Sequence, residues 1–190
     1  MSIRAVNETE TEPTHLRLRR LLEPHHDRAL AFARCLGRST SDGDDVFQEA
    51  LLRALGKLDT LRDDAAFRPW LYRVIVSVHR NRYRSGFWRR MLPFLGAPSA
   101  EPRADDLLAA DERARAALAE LPHEMREAIV LFEIEGWKVE EIAAMLDVST
   151  SAIKSRLARG RDRLRTIYSE RFGVRDLRSS FAPGTPGVTR

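Results

Sequence analysis

The sequence predicts an all-α protein of two small helical domains joined by a flexible linker, the C-terminal one a helix-turn-helix. Three observations predict it. Apolar residues recur at three- and four-residue spacing through two separate blocks. Prolines and glycines interrupt the pattern between the blocks. No segment shows the strict alternation of a half-buried strand.

In chain order, residues 1–14 are polar and read as a disordered N-terminus. Residues 15–85 form the first helical domain. Ala29, Phe32, Ala33 and Leu36 make a short apolar stripe. Phe47, Leu51, Ala54 and Leu58 make a second, and Phe67, Leu71, Val74 and Val78 a third. Each stripe must bury against another, which implies a small bundle. Gly37–Gly43 and Thr60–Ala66 read as polar loops. Residues 86–104 form the linker, broken by Pro93, Pro98 and Pro102 yet carrying Phe87, Trp88, Met91, Leu92, Phe94 and Leu95. Residues 105–170 form the second domain, and residues 171–190 a mobile tail rich in Pro and Gly.

The most informative spacing lies in Val139–Leu164. Ile142 and Ala143 sit on a short helix ending near Leu146. Asp147 follows where the turn needs positive φ, which Asp tolerates better than most residues. Val148 covers the turn, and Ser149 is a good N-cap for the next helix. Ile153, Leu157, Gly160 and Leu164 then face the core, and Ala143 and Gly160 permit close helix approach. The other faces carry Lys154, Arg156, Arg159, Arg161, Arg163 and Arg165 against one acid, Asp162. Such a helix fits the DNA major groove, with N-terminal side chains at base edges and later arginines on phosphates.

Charge is polarised in the first domain. Thr40–Asp59 carries Asp42, Asp44, Asp45, Glu49 and Asp59 against Arg53 and Lys57. Arg68–Arg90 carries seven arginines and no acid, interleaved with Trp70, Tyr72, His79, Asn81 and Tyr83. Positive charge with aromatic rings suits unpaired nucleic acid, because charge follows phosphates and rings stack on bases. Trp70, beside the Phe67/Leu71/Val74 stripe, reads better as a core residue, whereas Arg80–Arg84 reads as nucleic-acid binding. The cluster of Asp44, Asp45, Gln48 and Glu49 disfavours DNA and suits a basic protein surface. Carboxylates at a helix N-terminus also answer the helix dipole, and carboxylates can hold Mg²⁺ or Ca²⁺, but no calcium-loop spacing is present.

The totals set the remaining bounds. The chain has 190 residues, 43% hydrophobic and 32% charged, with a formal net charge of +4. The single cysteine, Cys35, excludes a disulfide framework and suits a reducing compartment. His25, His26 and Cys35 have poor zinc spacing, so no metal and no cofactor are expected. No apolar run approaches the roughly 20 residues of a membrane span, and the N-terminus lacks a secretory core. A cytoplasmic protein without stable membrane association is expected. An enzyme, such as a nuclease using Asp44, Asp45 and Glu49, lacks a partnering His or Lys nearby in sequence.

Taken in order, Asp44-Asp-Val-Phe-Gln-Glu49, Phe67-Arg-Pro-Trp-Leu-Tyr-Arg73, Leu121-Pro122, Val139-Glu-Glu-Ile-Ala143 and Lys154-Ser-Arg156 resemble the sigma factors of bacterial RNA polymerase. The two-domain layout resembles the extracytoplasmic-function group, over about Asp27–Ser85 and Ala117–Tyr168. The resemblance implies no catalytic activity and a role in promoter-specific transcription initiation. It implies that Asp44, Asp45, Gln48 and Glu49 dock on core RNA polymerase. It implies that the Thr60–Ala66 loop and Ser77, Arg80, Asn81 and Arg84 recognise and melt the −10 element, capturing flipped bases. Ser151, Lys154, Ser155, Arg156 and Arg159 would read the −35 element. Partners would be core polymerase, promoter DNA and an anti-sigma factor. The alternative is a stand-alone helix-turn-helix regulator, which has no need of the acidic Asp44–Glu49 helix.

Overall fold

Caps and apolar stripes account for each helix of the first unit. The computed structural model describes residues 12–84 and 106–173, which are helical with no strand among them. Helix α1 spans Thr14–Leu22 and buries Leu18 and Leu21. A 3-10 turn, Glu23–His25, leads into α2, His26–Leu36, whose stripe of Ala29, Phe32, Ala33 and Leu36 is buried. Helix α3, Thr40–Lys57, starts at Ser39, whose side chain accepts the Asp42 amide at 3.1 Å. Helix α4, Phe67–Arg84, lays Phe67, Leu71, Ile75 and Val78 into the same core.

The stretch expected to be a Gly37–Gly43 loop is shorter than the sequence suggested. Only Gly37–Ser39 is irregular, and Gly43 lies inside α3. The reason is steric. A Cβ at Gly43 would sit 2.4 Å from the Cα of Arg34 and 2.8 Å from its nitrogen. Gly43 is therefore in the helix despite its low propensity, because α2 and α3 cross backbone to backbone there.

The second unit contains α5 (Asp106–Ala119), α6 (His123–Ile129), a π-helical turn (Val130–Ile134), α7 (Val139–Leu146) and α8 (Thr150–Phe172). The Glu141 carboxylate accepts the Lys138 amide at 2.7 Å and closes the N-terminus of α7. Asp147 takes the left-handed conformation, φ 54°, and its amide donates to Ala143. Ser149 accepts the Ala152 amide and starts α8. Ile153, Leu157, Gly160 and Leu164 are buried as their spacing predicted. A Cβ at Gly160 would approach Ile129 Cγ1 to 2.9 Å, so α6 and α8 also cross closely.

The two units share one core. Tyr72 of α4 stacks on Phe32, 4.6 Å between ring centroids, and meets Trp137 at 5.6 Å. Arg126 of α6 is fully buried and donates to the Leu36 carbonyl at the end of α2, and to Ala119 and Leu121 in its own unit. The expected N-terminal disorder falls mostly, and the linker wholly, outside the described residues. Most of the expected tail also lies outside them, although α8 itself runs to Phe172 and ends on Gly173 at φ 66°.

Gly43→Ala is expected to destabilise the fold by roughly 1–3 kcal/mol, because backbone rather than a side-chain tip must yield. Thermal denaturation checks this, and an unchanged midpoint counts against the close crossing. At the helix-turn-helix turn, Asp147→Val should cost about 1–2 kcal/mol while Asp147→Gly is neutral or stabilising. Equal melting temperatures for the two variants would contradict the left-handed turn.

Candidate nucleic-acid interface

Helix α8 presents one face to the core and another to solvent. Ser151, Lys154, Ser155 and Arg159 are exposed on the outer side, and the Arg159 Nε donates to the Ser155 carbonyl at 3.4 Å. Arg156 stands apart from them. Its side chain is 13% exposed and lies 3.4 Å from Glu124. The residue adjoins Leu157 and precedes Gly160 by one turn, so it is turned toward α6. Farther along, Arg161 pairs with Glu133 at 2.6 Å and rests over the Phe132 ring, while Arg165 pairs with Asp162. Exposed cations thus run along the outer side of α8, from Lys154 and Arg159 in its first half, where a recognition helix meets base edges, to Arg163 farther along.

Helix α4 divides its polar side between solvent and the second unit. Ser77 and Asn81 are exposed. Arg80 is half-buried and grips the fully buried Glu127 carboxylate at 2.6 Å, and His79 lies 3.5 Å from the other carboxylate oxygen. Burial alone pushes the Glu127 carboxyl up, but the His79 and Arg80 contacts outweigh it and hold it below the ordinary range. The Arg84 side chain lies outside the described ones. Tyr72 and His79, counted from sequence among the rings of a nucleic-acid surface, are buried. The Tyr72 hydroxyl donates to Glu135 at 2.7 Å, and burial, then that bond, pushes its pKa up. Neither ring is available for stacking. Trp70 is partly buried against the core, in agreement with its spacing.

The Thr60–Ala66 loop is anchored as well as exposed. Arg17 of α1 donates to Asp64 at 2.6 Å and to the Leu61 carbonyl at 2.9 Å. Contacts from Arg17 and then Arg20 hold the Asp64 carboxyl below its ordinary pKa. Arg62 and Asp63 remain exposed beside it.

On α3, Asp45 and Gln48 are exposed and Glu49 is partly so. Arg82 of α4 lies 3.4 Å from Asp45 and 3.5 Å from Glu49, and Arg53 pairs with Glu49 at 2.6 Å. Asp44 is drawn aside by Arg34 at 2.6 Å. Sequence reasoning missed Leu52 and Leu55, which are 72% and 39% exposed. Their offset from Asp45 and Gln48 puts them on the same helical face. The result is an apolar centre with an acidic rim, the anatomy of a protein interface rather than a DNA one. The signal was available: Leu52 falls outside the buried Phe47/Ala50/Ala54 stripe. Among the described residues no group of three His, Cys, Asp or Glu side chains could hold a metal, and no helix is long and apolar enough to cross a membrane.

Comparison with known proteins agrees with this division. Residues 21–89 match the family described as Sigma-70 region 2, and residues 111–164 match Sigma-70, region 4. The chain is 33% identical over 144 residues to the ECF RNA polymerase sigma factor SigM of Mycobacterium tuberculosis, covering 76% of this chain and 73% of that protein. It is 31% identical over 179 residues to the probable RNA polymerase sigma factor RfaY of Xanthomonas campestris pv. campestris, where it spans 89% of its own length but only 43% of that protein. A solved structure of the sigma factor RpoE in complex with the anti-sigma factor NepR from Bartonella quintana superposes with a TM-score of 0.61 at 25% identity, over 80% of this chain and 96% of that one. With both regions present in order on one chain, and a relative matched at this identity over most of its length, the chain belongs to the sigma-70 family of bacterial RNA polymerase sigma factors, in the extracytoplasmic-function group.

Proposed function

We propose that this chain binds core RNA polymerase through the outer face of α3 and directs promoter-specific initiation with two separate DNA-reading helices. The observation that carries this reading is the co-occurrence of three surfaces on one chain. These are the acidic-rimmed face of α3, the polar side of α4 and the exposed N-terminal face of α8. A stand-alone regulator leaves the first of these without a use.

On α3, Asp45, Gln48 and Glu49 supply polar contacts to a basic polymerase surface, and Leu52 and Leu55 supply desolvated contact area. Asp44 acts through its Arg34 pair rather than by direct reach. On α8, Ser151, Lys154, Ser155 and Arg159 face the −35 element, while Arg156 braces α8 against α6 through Glu124. On α4, Ser77, Arg80, Asn81 and Arg84 face the −10 element, helped by the exposed part of the Thr60–Ala66 loop. Neither DNA helix needs high affinity alone, because polymerase raises the effective concentration of each. The chain carries out no catalysis itself, works in the cytoplasm and is held inactive by an anti-sigma factor. Support for that partner comes from the RpoE–NepR likeness.

Asp45→Arg combined with Glu49→Arg should abolish capture by core polymerase in a pull-down and abolish run-off transcription, with helical content retained. Capture at native levels would end the docking assignment. Arg159→Ala should weaken binding to −35 duplex and reduce the slope of log affinity against log salt by about one. An unchanged slope would mean Arg159 does not meet a phosphate.

A further inference from the structure

The Thr60–Ala66 loop is short and polar, yet it is held from three sides. The core sets its ends, because Leu58, Leu61 and Phe67 are buried. Within it, the Asp63 carboxylate accepts the Ala65 amide at 2.9 Å, and the Ala66 amide donates to the Asp63 carbonyl at 3.0 Å, which shapes the turn into α4. The third hold comes from α1. Arg17 donates from Nε and Nη2 to Asp64 Oδ1, at 3.1 and 2.6 Å, and from the same Nη2 to the Leu61 carbonyl at 2.9 Å. Arg20, about one turn along α1, donates to Asp64 Oδ2 at 3.1 Å.

We propose that Arg17 is a positioning residue for reading the −10 element: it clamps Leu61 to Asp64, so that Arg62 and Asp63 between them meet an unpaired base in one fixed conformation. This role rests on the promoter-reading assignment of the loop. Arg17 precedes residue 21, where the match to Sigma-70 region 2 begins, and lies on none of the three surfaces above.

The contacts suit that task. One guanidinium meets both ends of the stretch, and the two residues between those ends are exposed. Arginine carries several donors in a rigid plane, so it can hold a carboxylate and a carbonyl together, whereas a lysine ammonium is a point charge on a flexible stem. The Arg17 side chain is 24% exposed and its bonds turn inward to the loop, which makes it a poor phosphate contact. Burial of Leu18 and Leu21 fixes α1 independently, so the helix does not need Arg17 to stay docked.

Arg62 and Asp63 offer donors and acceptors side by side, as the mixed edge of an unstacked base requires. A loop free to move loses affinity to its own ordering. It also loses discrimination, because a flexible surface adapts to several partners. Arg17 therefore contributes to selectivity between bases rather than to attachment of the chain to DNA or polymerase.

The test uses holoenzyme reconstituted from core polymerase and the full chain, with a pool of promoter duplexes randomised over the −35 and −10 elements. Open complexes are selected, and sequencing gives the ratio of the best base to the next at each −10 position. Arg62→Ala with Asp63→Ala marks the position the loop reads, where the native chain should discriminate about ten-fold. Arg17→Ala should lower that ratio to about three-fold or less and leave the other positions as in the native chain. Asp64→Ala should do the same, and the double variant no more than either, since both remove one clamp. Arg17→Lys should restore part of the ratio. Helical content and polymerase pull-down are measured on each variant, and should Arg17→Ala lose helical content, Asp64→Ala and Arg17→Lys decide.

Unchanged base ratios in Arg17→Ala and Asp64→Ala overturn the proposal. An equal loss at every −10 position, the mark of a merely structural role, also overturns it. So does tighter DNA capture by Asp64→Ala, because a released Arg17 is then acting on phosphate, and so does a loop variant that alters no position. If the native holoenzyme selects no sequence, the promoter-reading assignment itself falls. Native selection with ratios indifferent to the clamp variants sinks the role of Arg17 alone.

Discussion

Two carboxylates of region 4, Glu127 and Glu135, are taken out of water at the seam with region 2, and much of the molecule answers them. A buried carboxylate without partners is costly enough to protonate or to reject burial. Arg80 and His79 meet Glu127 from α4, and Tyr72, Arg28 and Arg68 meet Glu135 from α2 and α4. Fully buried Arg126 adds the complementary case, a guanidinium satisfied by carbonyls of both regions. Apolar packing of Tyr72 against Phe32 and Trp137 supplies the adhesion, whereas the charges select one register. Sliding α6 along α4 by one residue would separate Glu127 from half-buried Arg80 and leave the carboxylate buried without that partner.

That constraint explains why charge counts on α4 misled. Its arginines form a single basic run in the sequence, but they go to different places. Arg68 serves Glu135, Arg73 serves the end of α7, Arg80 serves Glu127, and Arg82 reaches over to Asp45 and Glu49 on α3. The acidic face of α3 is correspondingly less negative than its composition. Its exposed leucines then matter more, since an apolar centre with a partly neutralised rim can be desolvated at lower cost than a bare carboxylate cluster.

Local chemistry in the helix-turn-helix was almost entirely legible. The left-handed Asp147, the Ser149 cap and the Ile153/Leu157/Gly160/Leu164 stripe depend on interactions within a few residues, so spacing suffices to place them. Gly43 was misjudged for the opposite reason. A glycine in a polar run reads as a loop, and only the backbone of Arg34, nine residues away in another helix, reveals that it is a contact inside α3.

The sequence by itself determined the helices, their caps and buried stripes, the acidic and basic character of α3, α4 and α8, and the order of motifs that marks the family. These follow from periodicity and from backbone groups satisfied locally. Only the tertiary structure decided which charged side chains stay available. Arg156 looked equal to Arg159, but α6 lies against one and solvent against the other. Arg80 looked like a free cation until Glu127, 47 positions away, was brought to 2.6 Å. Electrostatic partnership across that separation depends on how helices cross, and helical periodicity carries no record of the partner on the other side.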